Sequence, residues 1–161
     1  MVPRSTLAAT RVGLIEYLSI RTNIQWDYYR NLVLPAEGAK GAAFVTSINS
    51  LKGINYNRMV GEVQLQILVA HPDHQEAQCL LLDWVEFLLK IMESLKQQGL
   101  YGNYRGVEIK LAMGGCNLLD PIKLFVQDSD QRQDIPEGIA LGTMQANYEF
   151  VYESSIELEQ Y

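Results

Sequence analysis

The sequence predicts an α+β domain: a mostly antiparallel or mixed sheet of four to five strands with two helices packed on one face. Three stretches carry that prediction. From Val60 to Ala70, Val63, Leu65, Ile67 and Val69 alternate with Glu62, Gln64, Gln66 and Leu68. One face is apolar and the other mostly polar, the signature of an antiparallel sheet covered on one side. From Asp73 to about Gln98, Ala77, Leu80, Leu81, Trp84, Leu88, Ile91 and Leu95 recur at helical spacing. From Ile139 to Tyr152, Ala140, Gly142, Met144, Ala146, Tyr148, Phe150 and Tyr152 face one way. Thr143, Gln145, Asn147 and Glu149 face the other.

The remaining elements follow in chain order. A first helix is expected from about Thr6 to Ile20, with Ser5 as N-cap and Leu7, Leu14, Ile15 and Leu18 on its apolar stripe. Residues 21–42 are irregular and hold Trp26, Tyr28, Tyr29, Leu32, Leu34 and Pro35, then Gly38 and Gly41. A connection of about 20 residues is unusual inside a compact domain and is often functional or ordered by a partner. Its aromatics could equally cover one end of the core. A short strand is expected over Ala43 to Asn49. After the long strand ends at His71-Pro72, Asp73 caps the main helix, with Glu76 three residues on in the capping-box position. Trp84 falls at the centre of its buried stripe, and Gly99 stops it. A loop at Tyr101 to Gly106 leads to a strand in which Val107, Ile109 and Leu111 alternate with Glu108 and Lys110. A further strand is expected near Ile122 to Gln127. Residues 128–138 read as an exposed polar loop. The acidic tail from Glu153 is expected to fray.

At 161 residues with 48% hydrophobic side chains, the chain fits one domain, residues 1–161, with a proper core. No segment approaches the ~18 consecutive apolar residues of a membrane span. Met1 to Thr6 lacks a leader-like apolar run, so the expectation is a protein made and kept in the cytoplasm, with no membrane partner. In that reducing setting Cys79 and Cys116 are expected as free thiols. The net charge is −6 and the thirteen Lys and Arg are scattered, without the basic stripe that grips phosphates. Sequence-specific nucleic-acid binding is therefore not expected.

Catalytic and metal chemistry find little footing. His71 and His74 lie near Asp73 and Glu76, but straddle Pro72 at a strand-to-helix turn and match no common zinc signature. Cys116 follows Gly114-Gly115, yet no Cys-His-Asn order suggests a triad, and no phosphate-loop pattern follows the glycines. Glu62 and Glu108 could face each other as paired carboxylates, though solvent-side strand charges explain them better. No catalytic residue, metal or cofactor is expected, and the chain is read as not an enzyme.

Two features point toward assembly. Strands of about 11 and 14 residues exceed the usual five or six. At ~3.3 Å per residue the final one reaches about 46 Å, against a globule diameter of about 40 Å. It is expected to span the domain or project past it and offer unpaired backbone groups to a neighbour. The second feature is the aromatic segment. Trp26, Tyr28 and Tyr29 are candidate interface residues, with Arg30, Asp128, Asp130, Arg132 and Asp134 as a polar rim.

The order of elements resembles the tail terminator proteins of long-tailed bacteriophages over Thr6 to Tyr152. The likeness rests chiefly on Gly61-Glu62-Val63-Gln64-Leu65-Gln66-Ile67-Leu68-Val69 running into Asp73-His74-Gln75-Glu76-Ala77. The closing Met144-Gln145-Ala146-Asn147-Tyr148-Glu149-Phe150-Val151 adds to it. The resemblance implies a hexameric ring of the virion that caps the tail tube, joins it to head-connector proteins, and lets DNA pass through its lumen. Residues 21–41 depart from compact members. Another virion adaptor, such as a head-completion or baseplate subunit, and a small-ligand-binding α+β domain remain open.

Overall fold

The computed structural model describes residues 5–27, 38–53 and 58–153. Helix α1 (Thr6–Thr22) is followed by β1 (Trp26–Asp27), β2 (Gly38–Gly53), β3 (Arg58–His71) and α2 (His74–Gln98). Then come β4 (Leu100–Tyr104), β5 (Val107–Leu118), β6 (Lys123–Gln127) and β7 (Ala140–Glu153). The fold is α+β, as the sequence predicts, but the sheet has seven strands instead of four or five. Their order is β1-β2-β3-β7-β5-β4, with β6 pairing β7 beside β5. All pairings are antiparallel except the two-residue β1 on β2.

The caps form where the sequence places them. The Ser5 hydroxyl accepts from Ala8 N at 3.3 Å, and α1 ends on Asn23 in the left-handed conformation. Asp73 caps α2 by accepting from Gln75 N at 3.0 Å. The two helices share the apolar face of the sheet with Val63, Leu65, Ile67, Val69, Met144, Ala146, Tyr148, Phe150 and Tyr152 in one core cluster. Gly13 lets α1 approach β4 closely, since a Cβ there would lie 2.8 Å from the Tyr104 ring.

Several expectations are corrected. The final strand does not offer an unpaired edge to a neighbour. β7 pairs with β3 along its whole length, from Arg58 opposite Glu153 to His71 opposite Ala140. Its other edge carries β6 at 141–145 and β5 at 148–152. A 14-residue strand can be hidden because an equally long partner runs beside it and two shorter strands share its far edge. The stretch at Tyr101 is strand β4, joined to β5 by a two-residue turn at Arg105 (φ 56°) and Gly106 (φ 75°). Two positive φ values in succession give the mirror-image turn that matches sheet twist. Trp84 is half-buried at the edge of the core, because Val85 and Met92 take the centre of the α2 stripe. Finally, Glu62 stands opposite Glu149, and Glu108 opposite Asn103, so the two candidate carboxylates are not partners.

The second face of the sheet is divided. Around Glu62, Gln64, Gln66, Gln145, Asn147 and Glu149 it is polar and half-buried, with Gln64 Nε2 donating to Asn147 Oδ1 at 3.3 Å. Further along, Leu68, Ala70 and Leu141 form a small second core. Its lid is Ile135, 3% exposed, inserted from the loop after β6.

Candidate functional site

The sequence-derived interface residues do not come together. Trp26 is 3% exposed and belongs to the main core, with its indole Nε1 donating to Thr22 Oγ1 at 2.8 Å. A buried indole needs such a partner. The expectation of Trp26 on an assembly surface is therefore corrected: it closes one end of the core. Tyr28, Tyr29 and Arg30 lie outside the described residues.

Asp128, Asp130, Arg132 and Asp134 share the loop between β6 and β7, whose Ile135 packs in the second core, whereas Trp26 packs in the main one. The loop is wound, not frayed. Asp128 accepts through its carboxylate from Asp130 N at 3.0 Å and through its carbonyl from Gln131 N and Arg132 N at 3.1 Å. Ile135 N donates to Arg132 O at 3.2 Å, which aims Ile135 down into the second core. Arg132 Nε meets Asp134 Oδ1 at 2.7 Å, an exposed ion pair worth under about 1 kcal/mol. These acidic residues shape a turn that seals the sheet, a role their polarity conceals.

At the strand-to-helix turn, His71 Nδ1 accepts from Asp73 N at 2.9 Å while Asp73 caps the helix. Both side chains thus serve the backbone. Among the described residues no group of three or more His, Cys, Asp or Glu is placed to hold a metal ion.

Cys116 lies in β5, just past a bulge. Leu111 faces Tyr152 and Cys116 faces Phe150, so the four residues 112–115 of this strand stand against the single Val151 of β7. Gly114 takes φ +77° there, and Asn117 Nδ2 donates across the bulge to Gly114 O at 3.2 Å. The thiol is buried under the C-terminal half of α2, beside Tyr148. Burial pushes its pKa up to about 12, against a smaller downward pull from Lys96. Tyr148 is raised as well, first by burial and then by Cys116 and Glu93. A thiol so disfavoured as thiolate is a poor nucleophile at neutral pH. The Gly-Gly-Cys motif is a bulge that throws Met113 outward, 71% exposed, and leaves the sulfur packed.

The exposed apolar surface is elsewhere. Leu82 and Leu89, two turns apart, project from one flank of α2 toward β6 and the end of β5. Leu82 faces Leu124 and Val126 across a groove of about 170 Å³. Leu89 faces Leu118, Cys116 and Tyr148 across a second groove of about 300 Å³. Leu82, Leu89, Leu118, Leu119, Leu124 and Phe125 are each more than a third exposed. Beside them β6 uses one edge to pair with β7, and among the described residues no strand pairs with its other edge. An exposed apolar strip next to a strand edge is the kind of surface that a partner strand can cover.

Sequence reasoning missed this seam, although signals were present. Leu82 and Leu89 lie outside the arc α2 needs for the core. Leu124-Phe125-Val126 is apolar on both faces, whereas a solvated edge strand should alternate.

No family model and no curated protein matches the chain. Solved structures do match it, and one of them aligns over 95% of each chain with 14% identity and a TM-score of 0.43.

Proposed function

We propose that this chain is a structural subunit that assembles with copies of itself. Following its resemblance to tail terminator proteins, the assembly is a hexameric ring of a phage virion that caps the tail tube and meets the head connector. The observation that carries the self-assembly reading is the seam between α2 and the β5–β6 side of the sheet, where the exposed Leu82, Leu89, Leu118 and Leu124 lie beside a strand edge that no described strand pairs. One chain contributes this surface at one end of its sheet. A contact from it to a different surface of the next copy is head-to-tail, and such contacts close into rings or grow as filaments. The family assignment rests on the order of elements and the residues quoted for it.

Native mass measurement and negative-stain imaging of the purified protein test the proposal. A ring that binds isolated tail tubes supports it in full. A ring that binds head or baseplate proteins instead moves the chain to another virion adaptor. A chain that stays monomeric at high concentration and binds no tail tube overturns it.

A further inference from the structure

Edge strand β6 presents two different faces to whatever covers it. Leu124 and Val126 stand opposite Met144 and Gly142, which point toward the helices, since a Cβ on Gly142 would touch Leu81 and Ala77. They therefore open onto the Leu82 groove. Lys123 and Phe125, opposite Gln145 and Thr143, lie on the other face. The free edge between these faces accepts only an extended backbone, because its donors and acceptors repeat at strand spacing. The matching occupant should place apolar residues on the groove side and an acidic group beside Lys123 on the side it shares with Phe125.

The chain carries such a segment immediately after β7: Ser154-Ser155-Ile156-Glu157-Leu158-Glu159. Ile156 and Leu158 would share one face of an added strand, and Glu157 and Glu159 the other. This segment lies outside the described residues. It cannot serve its own chain's β6. Glu153 is eight residues along β7 from Gln145, the nearest position that β6 covers, or about 27 Å at strand rise. Ile156 and Leu158 follow Glu153 by three and five residues and reach only about 10 and 17 Å from it.

We infer that residues 154–159 of one copy add as a strand to the free edge of β6 in a second copy. Ile156 and Leu158 enter the groove beside Leu82 and Leu124, and Glu157 and Glu159 face Lys123. This inference rests on the self-assembly reading above and deepens it by naming the contact. Each chain donates a segment from one end of β7 and receives one at the opposite end, so the contact is head-to-tail.

Cross-linking between two full-length variants tests it, both carrying Cys79→Ser to remove the exposed native thiol. One population carries Leu124→Cys; the other carries Ile156→Cys or Leu158→Cys. Mild oxidation of the mixture should give a disulfide-linked heterodimer in at least one of the two pairings, and much less from either population alone. Independently, Ile156→Asp with Leu158→Asp should weaken assembly by roughly tenfold or more in Kd. Its fold, read by circular dichroism, should be unchanged. A wild-type ring that survives the double substitution and yields no cross-link overturns this contact while leaving self-assembly standing. A monomeric wild-type chain overturns both.

Discussion

Strands β7 and β6 lie side by side and differ in length, pairing and burial. β7 is 14 residues long, paired along one edge throughout and along most of the other, and its side chains from Ala140 to Met144 are all buried. β6 has five residues, one partner among the described residues, and no fully buried side chain. Yet β6 is nearly as apolar, through Leu124, Phe125 and Val126. What separates them is the number of neighbours, not hydrophobicity. Length in a strand signals a long partner and a central place, whereas apolar residues in a short, singly paired strand signal surface awaiting cover.

The sharpest way to break this contrast is one substitution made in both strands. Phe150→Ala in β7 should cost about 3–5 kcal/mol, because a nearly inaccessible ring leaves a cavity in the main core. Phe125→Ala in β6 should cost under about 1 kcal/mol, since its ring already meets solvent. Equal losses in urea unfolding would show that β6 is as much core as β7. The register pair Met144 and Leu124 gives a second version. Met144→Ala should cost about 2–5 kcal/mol, and Leu124→Ala about 1 kcal/mol or less while weakening assembly. A monomer stability that falls as far for Leu124 as for Met144 would remove β6 from the candidate surface.

Ile135 sharpens the comparison from the other face of the sheet. Ile135→Ala should cost about 2 kcal/mol, the low end for a buried isoleucine, because its cluster is small. An unchanged melting temperature would mean that the loop does not seal Leu68 and Leu141.

The smallest effect concerns alkali and β7's neighbour Cys116. Its folded pKa lies near 12, above the ordinary 9.0, because burial disfavours the thiolate. The unfolded chain therefore releases this proton first. Stability should be insensitive to the thiol below about pH 9 and should fall as pH rises from there toward 12. The slope approaches about 1.4 kcal/mol per pH unit. Tyr148 and Tyr152, also raised by burial, add to the loss at higher pH. Cys116→Ala should flatten the first part of the slope in denaturant titrations run from pH 8 to 11. An identical slope would mean that the thiol meets solvent.

What was legible in the sequence was local. The alternation in β3 and β7 and most of the α2 stripe need only neighbouring residues, so they stand where periodicity puts them, with Val85 and Met92 in the centre where Trp84 is expected. Partner identity is not local. That β7 lies between β3 and β5 depends on residues up to 95 positions away, as Arg58 opposite Glu153 shows. β4 escaped because Leu100-Tyr101-Gly102-Asn103-Tyr104 has weak strand propensity and is held by its hairpin with β5. Trp26 misled because an aromatic in an irregular stretch fits an interface as well as a core. Only its 3% exposure and its bond to Thr22 decide. Ile135 was hidden among acidic residues that make turns.

The central position of β7 also governs how the molecule comes into being. Every strand that pairs with it, β3, β5 and β6, precedes it in the chain. During synthesis the flanks of the sheet emerge before the strand that joins them, so the apolar faces of β3 and α2 wait without their cover. Contacts this distant in sequence form slowly, and waiting surfaces of that kind are where nascent chains aggregate or recruit chaperones. The polypeptide gains its full cooperativity in one late event, when residues 140–153 slide between the two halves of an unfinished sheet.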